Sequence, residues 1–511
     1  MKLPSIRGPV AASAAGLDRF GAGPTYPAKR LVAAVAVLTL LRLIVAAVAP
    51  LAPDEAYYWV WSHALAAGYV DHPPMVALWI KAGTMLAGQT ALGVRLLGPL
   101  AAALASWMLF DAAGVLFPGI MAGTAAVMLL NATLLLGVGT VIMTPDSPLL
   151  FFWTAGLWAV ARLAAGGAGG WWLAAGLFGG LALDSKYTAL LLWIGVGLWV
   201  LLVPAVRPWL RRWQPWAACL IGLGLFAPVL AWNAAHGWAS FARQGGRVED
   251  WRPARAVGFL AELVGGQIGL ATPVVWVLCM IALVVAVRRS SAGRDVGWSL
   301  LAALSAPPVL VFVQHAFGDR VQGNWPAIIY PALAVGAGGL TLTRRWWVGA
   351  SAVGFAITAL AYVQATSGLL PLPPRIDPIA IRLDGWGALA RQVAALGKAA
   401  NADFVAADNY AVVSELAWRM PPAVPVVATG ERWRLTTLSR ARIAGRTGLL
   451  VSTAGRAPDA AIWTDVERIG AATRPGAPGR GFTVYRVTAV KRGAFVVALP
   501  ARQSGGIAGG R

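Results

Sequence analysis

The chain has 511 residues, of which 58% are hydrophobic and only 12% charged, and its formal net charge is +21. This composition excludes an ordinary soluble globular protein and reads as a polytopic membrane protein. The positive charge does not imply nucleic acid: the basic residues sit mainly in short loops between apolar runs and in the C-terminal tail, where anionic lipid headgroups account for them.

Residues 1–29 are basic and rich in Gly and Ala, and a disordered cytoplasmic N-terminus is expected there. Ala47-Val48-Ala49 has the look of a signal-peptide cleavage site, but Pro50 follows it, so the first apolar run is read as a retained span. Apolar stretches of about 17–25 residues qualify as spanning helices. They occur at 30–51, 92–116, 118–140, 147–164, 171–184, 187–205, 215–232, 267–287, 297–315, 325–342 and 346–368. A transmembrane domain of about eleven spans over residues 30–370 follows, with 52–91 as a loop after the first span. In the short fifth run, Trp171-Trp172 anchors one end, and Gly176 and Gly180 form a small-residue face for close helix packing. Cys219 and Cys279 both lie in apolar runs, so neither a disulfide framework nor a thiolate metal site is implied.

The arginines orient these spans. Arg162, Arg207, Arg211, Arg212, Arg288, Arg289, Arg294, Arg344 and Arg345 all fall on one side if the N-terminus, with Lys29 and Arg30, is cytoplasmic. The polar motifs then share the opposite, external side, facing the periplasm or another extracytoplasmic space: Asp54-Glu55, Asp71-His72, Thr144-Pro145-Asp146-Ser147, Asp184-Ser185-Lys186-Tyr187, Asn233 with His236, and Asp319-Arg320 with Asn324. Beyond Pro371, Pro373 and Pro374 the long apolar runs stop. Residues 371–490 read as a small soluble α/β domain on that same side, with helices at 385–399 and 411–419 and strands at 403–406, 424–428, 448–452 and 482–487. Residues 491–511 form a basic, Gly-rich tail with one apolar patch, Ala494 to Leu499.

The most informative segment is Pro53-Asp54-Glu55-Ala56-Tyr57-Tyr58-Trp59, followed by Asp71-His72-Pro73-Pro74. A carboxylate beside lipid is costly unless it is paired, hydrated or used. Asp54 at a helix start is either an N-cap or a general base whose partial shielding raises its proton affinity. Tyr57, Tyr58 and Trp61 offer flat faces to sugar rings. Asp71 and His72 form a rigid turn that either joins His236 in a divalent metal site, with Asp71 and His236 as ligands, or hydrogen-bonds to substrate or within the pair itself. Asp146 is either a helix cap or a second carboxylate across the site. Lys186 either pairs with Asp184 while reaching for the interface or holds a phosphate; Arg95 and Arg320 are further cations on that side, as interface anchors or phosphate ligands. Carboxylate base, cations, aromatic faces and contact with the bilayer together fit the transfer of a sugar from a lipid phosphate, with inversion at the anomeric carbon. A secondary transporter or lipid flippase is the competing class; its ionisable groups would lie near the bilayer midplane rather than at span ends.

These residues also carry a resemblance. The segments 53–62 and 68–74 resemble the first external loop of bacterial GT-C type integral-membrane glycosyltransferases, relatives of protein O-mannosyltransferases and lipid A aminoarabinose transferases. Thr144-Pro145-Asp146-Ser147-Pro148-Leu149, Asp184-Ser185-Lys186-Tyr187-Thr188, Asn233-Ala234-Ala235-His236-Gly237-Trp238, Gly323-Asn324-Trp325-Pro326-Ala327, Leu383-Asp384-Gly385-Trp386 and Asp408-Asn409-Tyr410 are similar to the same group. The resemblance implies a GT-C-like helical fold, a polyprenyl-phosphate sugar donor, an envelope acceptor (lipopolysaccharide, glycolipid or protein), Asp54 as base, Glu55 and Asp146 as supporting acids, and Asn324 among the substrate-binding residues. In the aminoarabinose branch the Asp71-His72 position reads glutamate-lysine, and that glutamate helps hold a metal. Here the cationic role is assigned to Lys186. The segment Glu431-Arg432-Trp433-Arg434 departs from the pattern.

Overall fold

The computed structural model describes residues 26–118, 120–245, 251–291, 295–373, 375–453, 456–477, 479, 481–490 and 495–502. Residues 1–25 of the expected disordered N-terminus, Arg294, Pro374 and the tail segments 491–494 and 503–511 lie outside the described residues.

The membrane domain is built from α1 (Tyr26–Val48), α2 (Pro53–Trp61), α3 (Met75–Ala87), α4 (Ala91–Arg95), α5 (Leu97–Leu116), α6 (Ile120–Asn131), α7 (Leu134–Gly137), α8 (Asp146–Ala164), α9 (Trp171–Leu183), α10 (Leu190–Leu202), α11 (Trp213–Ala235), α12 (Ala239–Gly245), α13 (Ala256–Leu270), α14 (Pro273–Ser291), α15 (Val296–Ala316), α16 (Tyr330–Gly338) and α17 (Arg344–Ser367). Every apolar run picked out in the sequence contains helix. Among the described residues, 7 helices are long and apolar enough to cross a membrane. The runs at 118–140, 171–184, 187–205 and 325–342 give shorter helices. One of them stops at Asn131, whose side-chain amide donates to Val127 O and Ser106 Oγ, and Thr133 then caps a new turn by accepting from Leu136 N at 3.1 Å. The run at 267–287 is broken at Thr272, with φ of 65°, just before Pro273; its first residues end α13 instead. The loop 52–91 is itself helical, through α2 and α3.

The small-residue face of α9 is real. A Cβ on Gly176 would lie 2.5 Å from Ala218 O of α11, and one on Gly180 would lie 2.8 Å from Leu225 Cδ1. The two helices approach at distances that only glycine allows.

After α17 come α18 (Pro378–Leu383), α19 (Trp386–Ala399) and α20 (Tyr410–Arg419), interleaved with β1 (Phe404–Ala407), β2 (Val426–Thr429), β3 (Gly448–Thr453), β4 (Trp463–Thr464), β5 (Glu467–Ala472), β6 (Phe482–Val487), β7 (Ala489–Val490) and β8 (Val496–Ala498). The main sheet has the order β5-β6-β3-β1-β2-β8, with β1 parallel to β2 and β3 and the outer pairs antiparallel. The apolar patch in the expected tail is therefore a strand. Val497 pairs with Ala428 and covers what would be an open apolar edge of β2.

This domain sits directly on the first loop. Trp418 of α20 meets Trp59 of α2 edge to face at 5.0 Å, and Tyr57 meets Tyr410 at 4.9 Å and Trp433 at 5.3 Å. Trp61 stacks on Tyr69 at 4.1 Å. Tyr57, Tyr58 and Trp61 are buried within one apolar cluster that runs from α2 into the sheet. Their faces, expected to meet sugar rings, are spent on each other and on the C-terminal domain.

Glu415 of α20 is fully buried in this junction. Arg419 Nε lies 2.8 Å from its Oε2, while Oε1 has no hydrogen-bond partner among the described residues. Burial outweighs that attraction and pushes the carboxyl from 4.5 up to about 7. The folded protein thus holds a proton that the unfolded chain has already lost, so stability falls as pH rises from about 4.5 to about 7 and levels off above. Thermal unfolding of the wild type and Glu415→Gln across that range should show the wild type losing stability relative to the variant; parallel curves would remove Glu415 from the junction's pH response.

Candidate active site

The geometry starts at Pro53. As the first helical residue it presets the entry into α2, with Ala52 as the cap. Asp54 is therefore not the cap, and the two successive acids are sent in opposite directions. Glu55 turns inward and is fully buried. Its carboxylate accepts from Arg95 Nε at 2.6 Å and Nη2 at 2.5 Å, from Ala52 N at 2.9 Å and from Met143 N at 3.0 Å. Arg95 also donates to the carbonyls of Ala46, Ala49 and Pro50. The pair is bidentate and saturated. Neither partner faces open space, so the expectation of Glu55 as a supporting acid and Arg95 as a phosphate ligand meets groups already fully engaged.

Asp54 turns outward, its side chain 37% exposed. Tyr410 Oη donates to its Oδ1 at 3.0 Å, and Arg382 Nη1 lies 4.0 Å from its Oδ2. Burial and the nearby Asp54 carboxylate push the Tyr410 phenol up to about 12, which keeps it a donor at neutral pH. Asp71 continues the network. Its Oδ2 accepts from Tyr57 Oη at 3.0 Å and Arg432 Nη1 at 2.9 Å, and Arg243 Nε lies 3.4 Å from Oδ1. The Arg432 guanidinium lies 4.1 Å from the centre of the Tyr410 ring. Two acids of the membrane domain are thus joined through Tyr410 and Arg432 of the C-terminal domain.

A second cluster forms on neighbouring loops. Lys186 Nζ pairs with Asp146 Oδ1 at 2.7 Å, Asn324 Nδ2 donates to Asp146 Oδ2 at 2.7 Å, and the Trp325 ring centre lies 5.9 Å from Lys186 Nζ. Lys186 pairs with Asp146 rather than with Asp184, as the sequence had allowed. Pro145 takes the cap position of α8 and Asp146 makes no side-chain cap bond, so the cap reading of Asp146 does not hold. The two clusters are stitched together: Glu55 holds Met143, three residues before Asp146, and Met75 N donates to Asp184 O at 3.0 Å. Gln244 Nε2 donates to Asp71 O at 2.5 Å, and Tyr187 hydrogen-bonds Ser240. At the far end of α8, Arg162 pairs with Asp111 at 2.5 Å.

The remaining expected residues make the following contacts among the described residues. His72 packs edge-on to Tyr58, with ring centres 6.2 Å apart. His236 stacks on Trp232 at 4.4 Å, and its Nδ1 lies 2.7 Å from Trp232 O. Arg320, largely exposed, is paired with Glu262 at 2.8 Å. Among the described residues, no group of three or more His, Cys, Asp and Glu is arranged to hold a metal ion. The surroundings of Asp71 argue the same way: two guanidinium groups occupy the space in which a cation would have to sit. The donors present around Asp71 and His236 do not fit a divalent metal.

Sequence reasoning placed Tyr410 only within the resemblance and missed its bond to Asp54, along with Arg382, Arg243 and the direct role of Arg432. It also missed Arg42, a buried cation within α1 that donates to Asn131 Oδ1 at 3.0 Å. An arginine deep within an apolar span, twelve residues past Arg30, was the available signal for Arg42.

The comparisons with known proteins agree with this architecture. The model of the dolichyl-phosphate-mannose-protein mannosyltransferase family matches residues 71–232. The lipid A galacturonosyltransferase RgtD of Rhizobium johnstonii is 30% identical over 382 residues, covering 72% of this chain and 78% of that protein. The solved structure of ArnT from Cupriavidus metallidurans in its apo state superposes with a TM-score of 0.59 at 17% identity, covering 90% of this chain and 97% of that one. The same protein bound to undecaprenyl phosphate gives 0.57 at 16% identity, covering 93% and 98%. The fold is that of a GT-C type membrane protein. The chain belongs to the family of integral-membrane glycosyltransferases that includes the lipid A galacturonosyltransferase, and the transporter or flippase reading is set aside.

Replacing Arg95 with Met strands the buried Glu55 carboxylate, at an expected cost of about 3–5 kcal/mol. Size-exclusion chromatography after detergent extraction should show loss of monodisperse protein for Arg95→Met and a normal profile for Asp54→Asn. A normally folded but inactive Arg95→Met would return Arg95 to the substrate.

Proposed function

We propose that this glycosyltransferase moves a sugar from a polyprenyl-phosphate carrier to lipid A or a related envelope acceptor, with inversion, at the periplasmic face of the bacterial inner membrane. The observation that carries the reading is the opposed orientation of Asp54 and Glu55: one acid is sealed to hold the loop, while its neighbour is left half-open beside a second, cation-bearing cluster.

Asp54 acts as the general base. An acceptor hydroxyl or amine attacks the anomeric carbon, the bond from that carbon to the phosphate oxygen breaks, and the carrier leaves as polyprenyl phosphate. Asp54 takes the proton of the acceptor. Lys186 holds the departing phosphate, exchanging its Asp146 partner for the stronger anion, and Asn324 keeps Asp146 in place meanwhile. Attack from the face opposite the phosphate inverts the centre. No step runs through a metal. ArnT has been solved with undecaprenyl phosphate, which supports a carrier of that kind here. RgtD is named for lipid A and a galacturonosyl group, which supports the acceptor.

The local charge balance supports an acidic sugar. Among the described residues, Arg243, Arg382 and Arg432 gather around two carboxylates, Asp54 and Asp71, which leaves one cation in excess. A sugar carboxylate satisfies it, and Arg432 is placed to bind that group in bidentate fashion.

Asp54→Asn should abolish transfer in an assay with purified protein, donor lipid and acceptor, while extraction and elution stay unchanged; retained activity would dismiss Asp54 as the base. Mass spectrometry of lipid A from a deletion strain should lose a hexuronic acid. Loss of a neutral sugar instead would overturn the carboxylate reading and leave the transferase reading intact. Arg432→Gln should raise the KM for a uronosyl donor by roughly tenfold or more, as expected for a lost charge-assisted pair.

A further inference from the structure

A cavity of about 260 Å³ lies between α8, α9, α10 and α11. Its lining is mainly hydrocarbon and aromatic, among it Gly156, Val160, Trp193, Gly197, Leu210 and Trp216; the lining residues with a polar side-chain atom are Cys219 and the tryptophans. It runs along the bundle from Gly179 and Leu192, seven and six residues from Lys186, to Leu210 in the arginine-rich connection. Asp146 begins α8, and Gly156 and Val160 lie ten and fourteen residues further on, or about 15 and 21 Å along the helix axis. Leu201 and Leu210 bring the cavity to the end of the bundle that carries the arginine-rich connections.

Its mouth is cationic. Leu210 lies in the short 3₁₀ turn Arg207–Arg211, so the residues that follow it at the rim are Arg211 and Arg212. The Trp216 indole donates to Leu210 O at 3.0 Å and fixes this turn against α11. Arg212 lies over the Trp209 ring at 5.3 Å. Arg211 and Arg212 are exposed, and no ion pair among the described residues engages them. Leu210 and Trp216 are themselves exposed, so the cavity opens outward. A space this poor in hydrogen-bond partners holds water badly and is better filled by hydrocarbon. A hydrocarbon-lined space with two unpaired guanidinium groups at its rim is complementary to a molecule with an apolar tail and an anionic head.

We propose that this cavity takes one acyl chain of an anionic phospholipid whose phosphate rests on Arg211 and Arg212. The lipid is a resident of the cytoplasmic leaflet, where anionic headgroups concentrate basic surfaces. It is distinct from the sugar carrier, whose phosphate belongs with Lys186 at the other end of α8. It wedges the space that the helices leave unfilled and anchors the turn at 207–211.

Native mass spectrometry of the full-length protein, delipidated and exposed to phosphatidylglycerol or phosphatidylcholine in mixed micelles, tests this. The wild type should retain phosphatidylglycerol over phosphatidylcholine by roughly tenfold or more. The double variant Arg211→Gln, Arg212→Gln should lose that preference while still eluting as the wild type does. Gly197→Leu fills the cavity; a Cβ at Gly197 meets nothing within 4 Å, so the added side chain enters open space without strain. It should lose retention of both lipids. Equal retention of the two lipids by the wild type, an unchanged preference in the double variant, or unchanged retention in Gly197→Leu would each overturn the proposal. So would retention of a polyprenyl phosphate that Gly197→Leu abolishes, since the cavity would then belong to the donor.

Discussion

The buried ion pair between Glu55 and Arg95 is the constraint on which the rest of the site depends. Two charges taken out of water cost several kcal/mol each, and only a saturated geometry offsets this. Here the carboxylate is satisfied by the guanidinium and two backbone N–H groups, and the guanidinium by three carbonyls. Those partners come from the end of α1, the start of α2 and the loop before α8. One side-chain pair thus fixes three connections of the chain at a single point. With Pro53 setting the helix start, Asp54 has no choice but to point away from that knot.

The C-terminal domain completes what the knot begins. Aromatic contacts through Trp59, Trp418, Tyr57 and Trp433 seat it on α2. Tyr410 and Arg432 then reach Asp54 and Asp71 from the opposite side. The candidate site is a seam between a membrane domain and a soluble one, and its charge balance is set jointly. Any change in how the sheet domain sits is felt directly at Asp54. This coupling also explains why the aromatic residues of the first loop are buried: they hold the seam closed.

Much of this was legible in the sequence, and the limits have physical causes. The apolar runs predicted helices throughout, because length and hydropathy are local properties. Splits within runs, at Asn131 and Thr272, were missed because side-chain capping and a backbone reversal decide them. Arginine placement predicted that the polar loops share one end of the bundle, and the contacts from Asp146 to Lys186 and Asn324 join them there. Pairing was not legible. Nothing local tells Asp54 from Glu55, since the choice depends on Arg95, 40 residues away. Tyr410 lies 356 residues from Asp54 and Arg432 lies 361 from Asp71, so only the folded chain brings them together. The strand at Val496–Ala498 is not legible locally, because its partner edge on β2 is a tertiary fact.

The proposed function requires that the acids, the amide of Asn324 and the C-terminal domain share one face of the membrane and that the arginine-rich turns lie on the other. The most direct test is labelling of single cysteines in a background lacking Cys219 and Cys279, with a membrane-impermeant maleimide applied to intact spheroplasts. Cysteines placed at the exposed positions Asn324 and Arg382 should react in intact cells, and one at Arg211 should react only after lysis. Labelling of positions 324 and 382 from opposite sides, or of 211 together with 382, would contradict it.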